Sequence, residues 1–545
     1  MLHPTVYNTA QICFQLGVTH AVMSPGSRNA PLTISFARHE GISKRIIPDE
    51  RAAGFVALGI AQLTKSPVVL CCTSGSALLN YAPAIAEAYY REIPLIVISA
   101  DRPPELIDQR DGQTIRQLDS LQNHVKHTYG LPVVSNGKQS QEYQQKLIEA
   151  LEKSVTPPYG PVHVNIPFKE PFYPAIDQVL EYGQVEIKER DQIKTDQQNI
   201  DISGYKKIVV LIGQHEPDQQ LADWVSKISK LVPVIRSPLN NLSEGVEHVD
   251  AFINSQSDLK PDLLITSGLS VLSKKLKNFL RHHKPDKHLH FDPASVEVDT
   301  YQTNPAIIGQ FLWESLNEHQ FAHADRGYLT VWRTLEIKAK ESVKSFLTGV
   351  NHSESKAAFD ILQSLPKDSV LHLSNSMPVR YADLFGVKEG VHCLSNRGTS
   401  GIDGCTSTAV GSSLVSDKMN ILITGDLAFL YDRNALFHNY ALPNFRIIIL
   451  NNQGGGIFRL IDGPANLPEL EDYFETRHNR TAEYICAENG ITYLTASDDK
   501  SLAAHLNSFY DSSKTAKVLE VFTDPETNQN VYKKLKQYIH ERIKD

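Results

Sequence analysis

Two polar side chains near the C-terminus are of types that can hold a divalent cation. Asp426 follows the apolar run MNILITG, and Asn452 follows the next apolar run, FRIIILN. Both runs predict parallel β-strands, so the two side chains would meet at one edge of a sheet. With a nearby backbone carbonyl, they form an oxygen set suited to Mg²⁺, and Mn²⁺ accepts the same ligands. The alternative is that Asp426 caps a helix and Asn452 forms a turn.

The glycine-rich run that follows Asn452 is typical of phosphate binding. Residues 453–456 read QGGG, and glycines there would let the backbone come close to a phosphate group.

A glutamate near the N-terminus is a candidate for proton transfer. Glu50 lies between a predicted strand and a helical pattern rich in small apolar residues. A carboxyl group there could exchange a proton with a bound cofactor. Acidic residues are also common at helix starts, because they stabilise the helix dipole. The position alone therefore leaves both interpretations open.

Arginines recur where predicted strands end. These residues are Arg28, Arg102, Arg380 and Arg397. One arginine at a helix start is usually solvated surface, but guanidinium groups also bind carboxylates with two parallel hydrogen bonds. Four of them at strand ends indicate a substrate with several carboxylates. Ser376 precedes Arg380 by one helical turn, which places both on the same face of a helix.

The composition is that of a large globular protein. The chain has 545 residues, of which 41% are hydrophobic and 21% charged, so several domains are expected. A net charge of −8 argues against nucleic acid as a partner. No apolar stretch reaches the roughly 20 residues that span a bilayer, so no membrane insertion is expected. Six cysteines without a C-x-x-C pair, and no secretory signal, predict a cytoplasmic location.

Alternating strand and helix patterns predict an α/β fold with parallel sheets. The predicted domains are residues 1–180 and 351–545, which share one architecture, and a smaller α/β domain at 204–350. A polar linker is predicted at 181–203. The strands predicted in the last domain are SVLHLS, GVHCLS, MNILITGD, FRIIILNN, ITYLTA and KVLEVF.

Several motifs together resemble those of one family of thiamine diphosphate (ThDP) enzymes. They are SPGSRNAPLT, DERAAGFVALGIA, TSGSA, SADRPPELID with GQTIRQ, SNSMPVR, NRGTSGIDG, GDLAFLYDRNAL and NNQGGGIF. The GD and NN pair resembles the diphosphate motif of ThDP enzymes in general. The SPGSR, ADRPPEL and NRGTSGIDG motifs are similar to those of the 2-succinyl-5-enolpyruvyl-6-hydroxy-3-cyclohexene-1-carboxylate synthase (MenD) family of menaquinone biosynthesis.

The resemblance implies a three-domain ThDP-enzyme architecture, with residues 1–180 as the pyrimidine-binding domain and 351–545 as the diphosphate-binding domain. It implies a transferase that decarboxylates 2-oxoglutarate and adds the succinyl unit to isochorismate, with ThDP and Mg²⁺ (or Mn²⁺) as cofactors. It also implies a homodimer or homotetramer with active sites at the subunit interface. The alternatives are another ThDP-dependent 2-oxoacid decarboxylase or carboligase, and a ThDP-binding protein without catalysis.

The same resemblance assigns roles to individual residues. Glu50 is the catalytic acid that activates ThDP, and Asp426, Asn452 and Gly454 bind the metal. The other cofactor contacts are Ile402 and Ile457. The implied substrate contacts are Ser27, Arg28, Arg102, Gln113, Lys274, Lys275, Ser376, Arg380, Arg397 and Phe458.

Three positions depart from the family pattern. Leu427 replaces a glycine of the general ThDP motif, Gly112 replaces an asparagine, and Lys275 stands where an arginine is frequent. Lysine keeps the charge of arginine but loses its forked geometry. The basic C-terminal segment YKKLKQYIHERIKD is expected to be a closing helix with a solvated face.

Overall fold

The computed structural model describes residues 3–174, 179–187, 200–253, 257–461 and 463–544. Within these ranges the chain forms three parallel β-sheets covered by helices. The predicted fold class, α/β with parallel sheets, is confirmed. The predicted linker at 181–203 lies partly outside the described residues.

The first sheet has six strands, in the spatial order β2-β1-β3-β4-β6-β5. They are β1 (His20–Met23), β2 (Ser43–Ile46), β3 (Val68–Cys72), β4 (Leu95–Asp101), β5 (Thr128–Gly130) and β6 (Val162–Pro167). Its helices are α1 (Pro4–Tyr7), α2 (Thr9–Gln15), α3 (Ala30–Arg38), α4 (Glu50–Thr64), α5 (Ser76–Asn80), α6 (Ala82–Tyr90) and α7 (Gly137–Ser154). The central strands β3 and β4 are buried along their whole length, as expected of a parallel sheet covered on both faces.

The middle sheet has five strands, in the order β11-β10-β9-β7-β8. They are β7 (Ile208–Ile212), β8 (Val234–Ile235), β9 (Leu263–Ser267), β10 (Lys287–Phe291) and β11 (Ala306–Ile308). Its helices are α8 (Gln219–Ile228), α9 (Val249–Phe252), α10 (Lys274–His282), α11 (Leu312–Ser315) and α12 (Arg326–Thr348).

The third sheet again has six strands, in the order β13-β12-β14-β15-β17-β16. They are β12 (Val370–Leu373), β13 (His392–Leu394), β14 (Asn420–Gly425), β15 (Phe445–Asn451), β16 (Thr492–Ala496) and β17 (Lys517–Phe522). The remaining helices are α13 (Glu354–Ser364), α14 (Met377–Phe385), α15 (Cys405–Ser413), α16 (Asp426–Tyr431), α17 (Glu483–Glu488), α18 (Asp499–Phe509) and α19 (Pro525–Lys544). In the described part of the chain, no helix is both long and apolar enough to cross a membrane.

The chain divides into two compact units. The first comprises Met1–Gln192, Asn396–Asp417 and Leu430–Leu442, and the second Ile193–Ser395, Lys418–Phe429 and Pro443–Asp545. Two stretches that the sequence analysis assigned to the domain at 351–545 are therefore grouped with the N-terminal residues. The domain boundaries stay a prediction.

Helices α4 and α15 pack closely within the first unit. A Cβ atom added to Gly59 would lie 2.0 Å from the carbonyl oxygen of Thr408, and one added to Gly411 would lie 2.1 Å from that of Val56. Both obstacles are backbone atoms, so a side chain could enter only if the helices separated. The small residues of α4, the helix that begins at Glu50, therefore allow it to pack closely against α15.

We expect Gly59→Ala to lower the midpoint of thermal unfolding, measured by circular dichroism. Overpacking costs about 1–3 kcal/mol, which exceeds the roughly 1 kcal/mol by which alanine improves a helix over glycine. The control is Gly137→Ala at the start of α7, where no heavy atom of the described residues lies within 4 Å of the added Cβ. An unchanged midpoint for Gly59→Ala would contradict the close crossing.

Candidate active site

The third sheet brings the predicted metal ligands to one edge. Strands β14 and β15 are parallel neighbours, with Gly425 opposite Leu450, so Asp426 and Asn452 follow adjacent strand ends. One carboxylate oxygen of Asp426, Oδ2, accepts a hydrogen bond from the backbone N–H of Gly454 at 2.9 Å. The other, Oδ1, accepts from the N–H of Leu427 at 2.7 Å. The carboxylate is thereby fixed beside the glycine-rich turn.

The carboxamide of Asn452 is buried with one end unsatisfied. Its Nδ2 donates to Oε2 of Glu354 at 2.5 Å, whereas Oδ1 is buried and has no protein partner among the described residues. A Cβ on Gly456 would lie 2.6 Å from Nδ2, so only glycine leaves room for this amide. A buried acceptor without a donor is costly, and a cation would satisfy it. The residues therefore fit a Mg²⁺ site.

Glu354 was missed by the sequence analysis as a site residue. It is the first residue of α13 and is only 3% exposed. Burial raises the pKa of its carboxyl group to about 7, opposed by the hydrogen bond from Asn452, while the charge of Asp426 raises this pKa further. A glutamate at a helix start after a serine is an ordinary local pattern, so the sequence offered no signal for it.

His478 is a second neighbour that the sequence did not reveal. Its Nε2 lies 3.5 Å from Oδ2 of Asp426, and its Nδ1 accepts from the N–H of Arg480 at 3.1 Å. That acceptor role places the ring proton of the neutral tautomer on Nε2, facing the carboxylate. The imidazole thus adds a polar wall to the candidate metal site.

A cavity of about 650 Å³ lies in the second unit and collects three predicted site residues, Lys275, Arg380 and Ile457. Among the described residues that line the cavity, Asp250 is the acidic one, and Met377 and Leu460 form part of the apolar wall. A mostly apolar cleft with a few charged groups is typical of a small-molecule site. The excess of cations suits an anionic ligand.

The basic rim of this cavity has two further members from the C-terminal helix. Lys536 and His540 of α19 belong to the lining. The sequence analysis expected this segment to be only a solvated closing helix. Its exposed face in fact borders the cavity that holds Arg380.

Ser376 and Arg380 are in contact, but not on one helical face as predicted, because α14 begins only at Met377. Ser376 is the N-cap of α14, and Nη1 of Arg380 donates to its carbonyl oxygen. The backbone of Ser376 has φ 76° and ψ −126°, a conformation that is strained for a residue with a side chain. Such strain concentrates at functional positions, so it is compatible with a ligand contact here.

Glu50 is the first residue of α4, in the first unit, and is partly exposed. Its neighbours fix this helix end: Oδ1 of Asp49 accepts from the N–H of Ala52 at 3.1 Å, and Arg51 donates to the carbonyl of Tyr431 at 2.7 Å. Burial raises the pKa of the nearby Cys72 thiol well above its usual value, and the charge of Glu50 adds to this rise.

Ile402 precedes the tight turn that packs against α4. Its side chain is 38% exposed, and a Cβ on Gly404 would lie 2.1 Å from the ring of Phe55. The SGIDG turn therefore sits on the same helix that begins at Glu50. The structure brings the elements that carry these two residues into one unit.

The loop with Arg397 is anchored by another residue that the sequence analysis missed. Glu87 is fully buried, and its two carboxylate oxygens accept from the N–H groups of Gly398 and Thr399 at 2.8 and 2.7 Å. Arg397 belongs to the first unit, whereas Ser376 and Arg380 belong to the second. That these three residues hold one carboxylate stays a prediction.

The other predicted substrate contacts of the first unit are arranged around loop ends. Arg28 is buried and donates to the carbonyl of Phe168 at 2.9 Å. Arg102 forms an ion pair with Asp111 at 3.1 Å and donates to the carbonyl of Gly112 at 2.8 Å. Ser27 and Gln113 are exposed. The arginines are held in place by their own chain before any ligand is considered.

Of the predicted substrate contacts, only Lys275 and Arg380 line this cavity, so Lys274 and Phe458 of the second unit lie outside its lining. Lys274 is exposed at the start of α10, and only its neighbour Lys275 lines the cavity. Phe458 packs instead against Phe474, with ring centres 5.6 Å apart. Their roles as substrate contacts stay predictions.

Part of the chain matches a known family. Residues 8–135 match the family described as "Thiamine pyrophosphate enzyme, N-terminal TPP binding domain". This match covers the first sheet up to β5 and includes Glu50.

Three relatives that match over nearly their whole length share one name. The chain is 42% identical over 557 residues to the 2-succinyl-5-enolpyruvyl-6-hydroxy-3-cyclohexene-1-carboxylate synthase of Cytophaga hutchinsonii, covering 98% of this chain and 99% of the relative. It is 41% identical to that of Flavobacterium psychrophilum, with 97% of each covered, and 34% identical to that of Bacteroides fragilis, with 96% of each covered. The chain therefore belongs to the 2-succinyl-5-enolpyruvyl-6-hydroxy-3-cyclohexene-1-carboxylate synthase family of thiamine diphosphate-dependent enzymes.

Proposed function

We propose that this chain decarboxylates 2-oxoglutarate and adds the succinyl unit to isochorismate in a 1,4-addition, in the pathway to menaquinone. The observation that carries the proposal is the likeness over nearly the whole chain to relatives named for the product of this reaction. The Asp426, Asn452 and Gly454 arrangement supports the cofactor requirement, because it leaves a buried amide oxygen in need of a partner.

Asp426, Asn452 and the carbonyl of Gly454 would hold Mg²⁺ or Mn²⁺, and the glycines around residue 455 would admit the diphosphate. When bound, ThDP supplies the electron sink that makes loss of carbon dioxide from a 2-oxoacid possible. The buried β14 and β15 strands hold these ligands on a rigid frame, so little reorganisation would accompany cofactor binding.

Glu50 would exchange a proton with the aminopyrimidine ring of the cofactor. Its place as the first residue of α4 suits this task, because Asp49 and Arg51 are engaged in capping and anchoring the helix. The carboxyl group of Glu50 is left at the surface of its unit. Ile402 would contact the cofactor from the SGIDG turn, which packs against α4.

The basic residues would bind and orient two anionic substrates. Arg380 and Arg397, with Ser376, would hold the distal carboxylate of 2-oxoglutarate. Lys275 lines the cavity of the second unit and would attract the carboxylates of isochorismate, joined by Lys274 at the helix start. Ser27, Arg28, Arg102, Gln113 and Phe458 are proposed to complete the substrate contacts.

We further propose a homodimer or homotetramer in the cytoplasm, with active sites at the subunit interface. The proposed boundaries are residues 1–180 for pyrimidine binding and 351–545 for diphosphate binding. The support is the family resemblance, because in this family the pyrimidine-binding and diphosphate-binding domains of one active site come from different subunits.

The product distinguishes this function from that of another ThDP-dependent decarboxylase or carboligase. The purified chain is incubated with ThDP, Mg²⁺, labelled 2-oxoglutarate and isochorismate, and the adduct is identified by mass. The proposal predicts a labelled adduct of isochorismate and the succinyl unit. Carbon dioxide release without consumption of isochorismate would favour the alternative.

We expect Glu50→Gln to lower kcat at least 100-fold while ThDP affinity changes little. Proton transfer by a positioned side chain contributes about 10²–10⁴ in rate, and glutamine cannot exchange that proton. Turnover and ThDP binding are measured by isochorismate absorbance and calorimetry. Glu40→Gln, an exposed glutamate of the same unit, is the control. Near-normal kcat in Glu50→Gln would remove the assigned role.

We expect Arg397→Ala to raise the KM for 2-oxoglutarate at least tenfold, because a hydrogen bond to a charged group contributes about 1.5–3 kcal/mol. The ThDP dissociation constant is expected to stay within threefold of wild type. Arg397→Lys keeps the charge but not the forked geometry, so its KM for 2-oxoglutarate should lie between those of the wild type and Arg397→Ala. Wild-type saturation by 2-oxoglutarate in Arg397→Ala would show that this arginine does not bind the substrate.

A further inference from the structure

Glu354 lies directly behind a candidate metal ligand and is tied to it by a short hydrogen bond. Its Oε2 accepts from Nδ2 of Asn452 at 2.5 Å, and the side chain also bonds that of Tyr381. Its backbone N–H donates to Oδ1 of Asn528 at 2.8 Å. A carboxyl group this buried is tolerated only where such partners surround it, so Glu354 is held in one position.

This contact determines which end of the Asn452 amide faces outward. A carboxyl oxygen accepts hydrogen bonds, so it selects the NH₂ end of the amide, and Oδ1 must point the other way. Gly456 packs against the same NH₂ end of the amide, because a Cβ there would lie 2.6 Å from Nδ2. The outward atom is the one that is buried without a protein partner among the described residues.

We propose that Glu354 is a positioning residue for the divalent cation: by binding Nδ2 of Asn452 it presents Oδ1 to the metal. This inference rests on the proposed cofactor site. Groups that orient metal ligands in this way contribute 10–100-fold to metal affinity. The alternative is that Glu354 only anchors the start of α13 through Asn528.

The test is Mn²⁺ binding to the full chain with saturating ThDP, measured by the electron paramagnetic resonance signal of free Mn²⁺. Glu354→Met keeps the length of the side chain but has no acceptor for Nδ2, and the Mn²⁺ dissociation constant should rise 10–100-fold. Glu354→Gln retains an acceptor oxygen and should restore binding to within about threefold. Rescue by glutamine separates an orienting role from a packing role.

Two further variants keep the test decisive. Glu354→Asp keeps the charge but draws the carboxylate away from Nδ2, so its Mn²⁺ affinity should fall at least tenfold. This variant provides the test if Glu354→Met does not fold. Asn528→Ala removes the partner of the Glu354 backbone and should leave Mn²⁺ affinity unchanged.

Wild-type Mn²⁺ affinity in Glu354→Met, or in Glu354→Asp, would overturn the role of Glu354 and leave the proposed function intact. An equal loss in Asn528→Ala would assign the effect to the anchoring of α13 instead. Failure of the wild-type chain to bind Mn²⁺ with ThDP would overturn the proposed function and this inference with it.

A separate observation concerns the face of α19 that borders the cavity in the second unit. Lys536 lines this cavity together with Lys275 and Arg380. Its Nζ lies 4.9 Å from the centre of the Tyr532 ring, one turn earlier on the helix, and Nζ of Lys275 donates to the backbone carbonyl of Asp250 at 2.6 Å. Three cations from three different helices thus border this cleft, and Asp250 is the one carboxylate among the described residues of its lining.

We infer that Lys536 binds a carboxylate of the cyclic substrate and so supplies charge where Lys275 lacks the fork of an arginine. This inference also rests on the proposed function, with isochorismate as the ligand. Lys533, exposed on the same helix, does not line the cavity and provides a matched control.

Lys536→Met should raise the KM for isochorismate about tenfold and leave the KM for 2-oxoglutarate within twofold, whereas Lys533→Met should change neither. An unchanged KM for isochorismate in Lys536→Met would overturn the inference. An equal rise in the KM for both substrates would show that the substitution disturbs α19 and would also overturn the inference. If the wild-type chain consumes no isochorismate, the proposed function fails together with this role.

Discussion

A buried amide must satisfy both of its ends, and this requirement organises the candidate site. One end of the Asn452 carboxamide donates to a carboxyl group, and the other is buried with no partner among the described residues. Leaving such an acceptor unpaired costs about 1–3 kcal/mol. The neighbouring strand β14 ends at Asp426, whose carboxylate is fixed by backbone N–H groups. The two strands thus provide one carboxylate oxygen and one amide oxygen at a common edge, which is the chemistry of a hard cation.

Local pattern was enough to predict much of this frame. The six strands predicted in the last part of the chain are all present, because buried parallel strands are continuous apolar runs that end at polar loops. The same pattern predicted that Asp426 and Asn452 would follow the ends of neighbouring strands. Strand β5 shows the limit of this rule, since its three residues, Thr128–Gly130, carry no apolar run and end in glycine.

The sequence could not reveal residues whose importance depends on distant partners. Glu354 contacts Asn452, and Glu87 contacts the turn after Arg397, across long separations along the chain. Each is an ordinary acidic residue of a helix in the sequence, and only folding buries it against its partner. Lys536 is similar, because a basic helical face looks the same in the sequence whether it borders bulk solvent or a cavity.

In the proposed metal site, Asn452 presents a buried oxygen to a divalent cation beside Asp426. Anomalous diffraction from crystals of the chain grown with Mn²⁺ and ThDP would locate this cation. We expect a manganese peak within bonding distance of Oδ1 of Asn452, a carboxylate oxygen of Asp426 and the carbonyl of Gly454. A peak bound elsewhere, with Oδ1 of Asn452 facing only protein or water, would refute the proposed metal site.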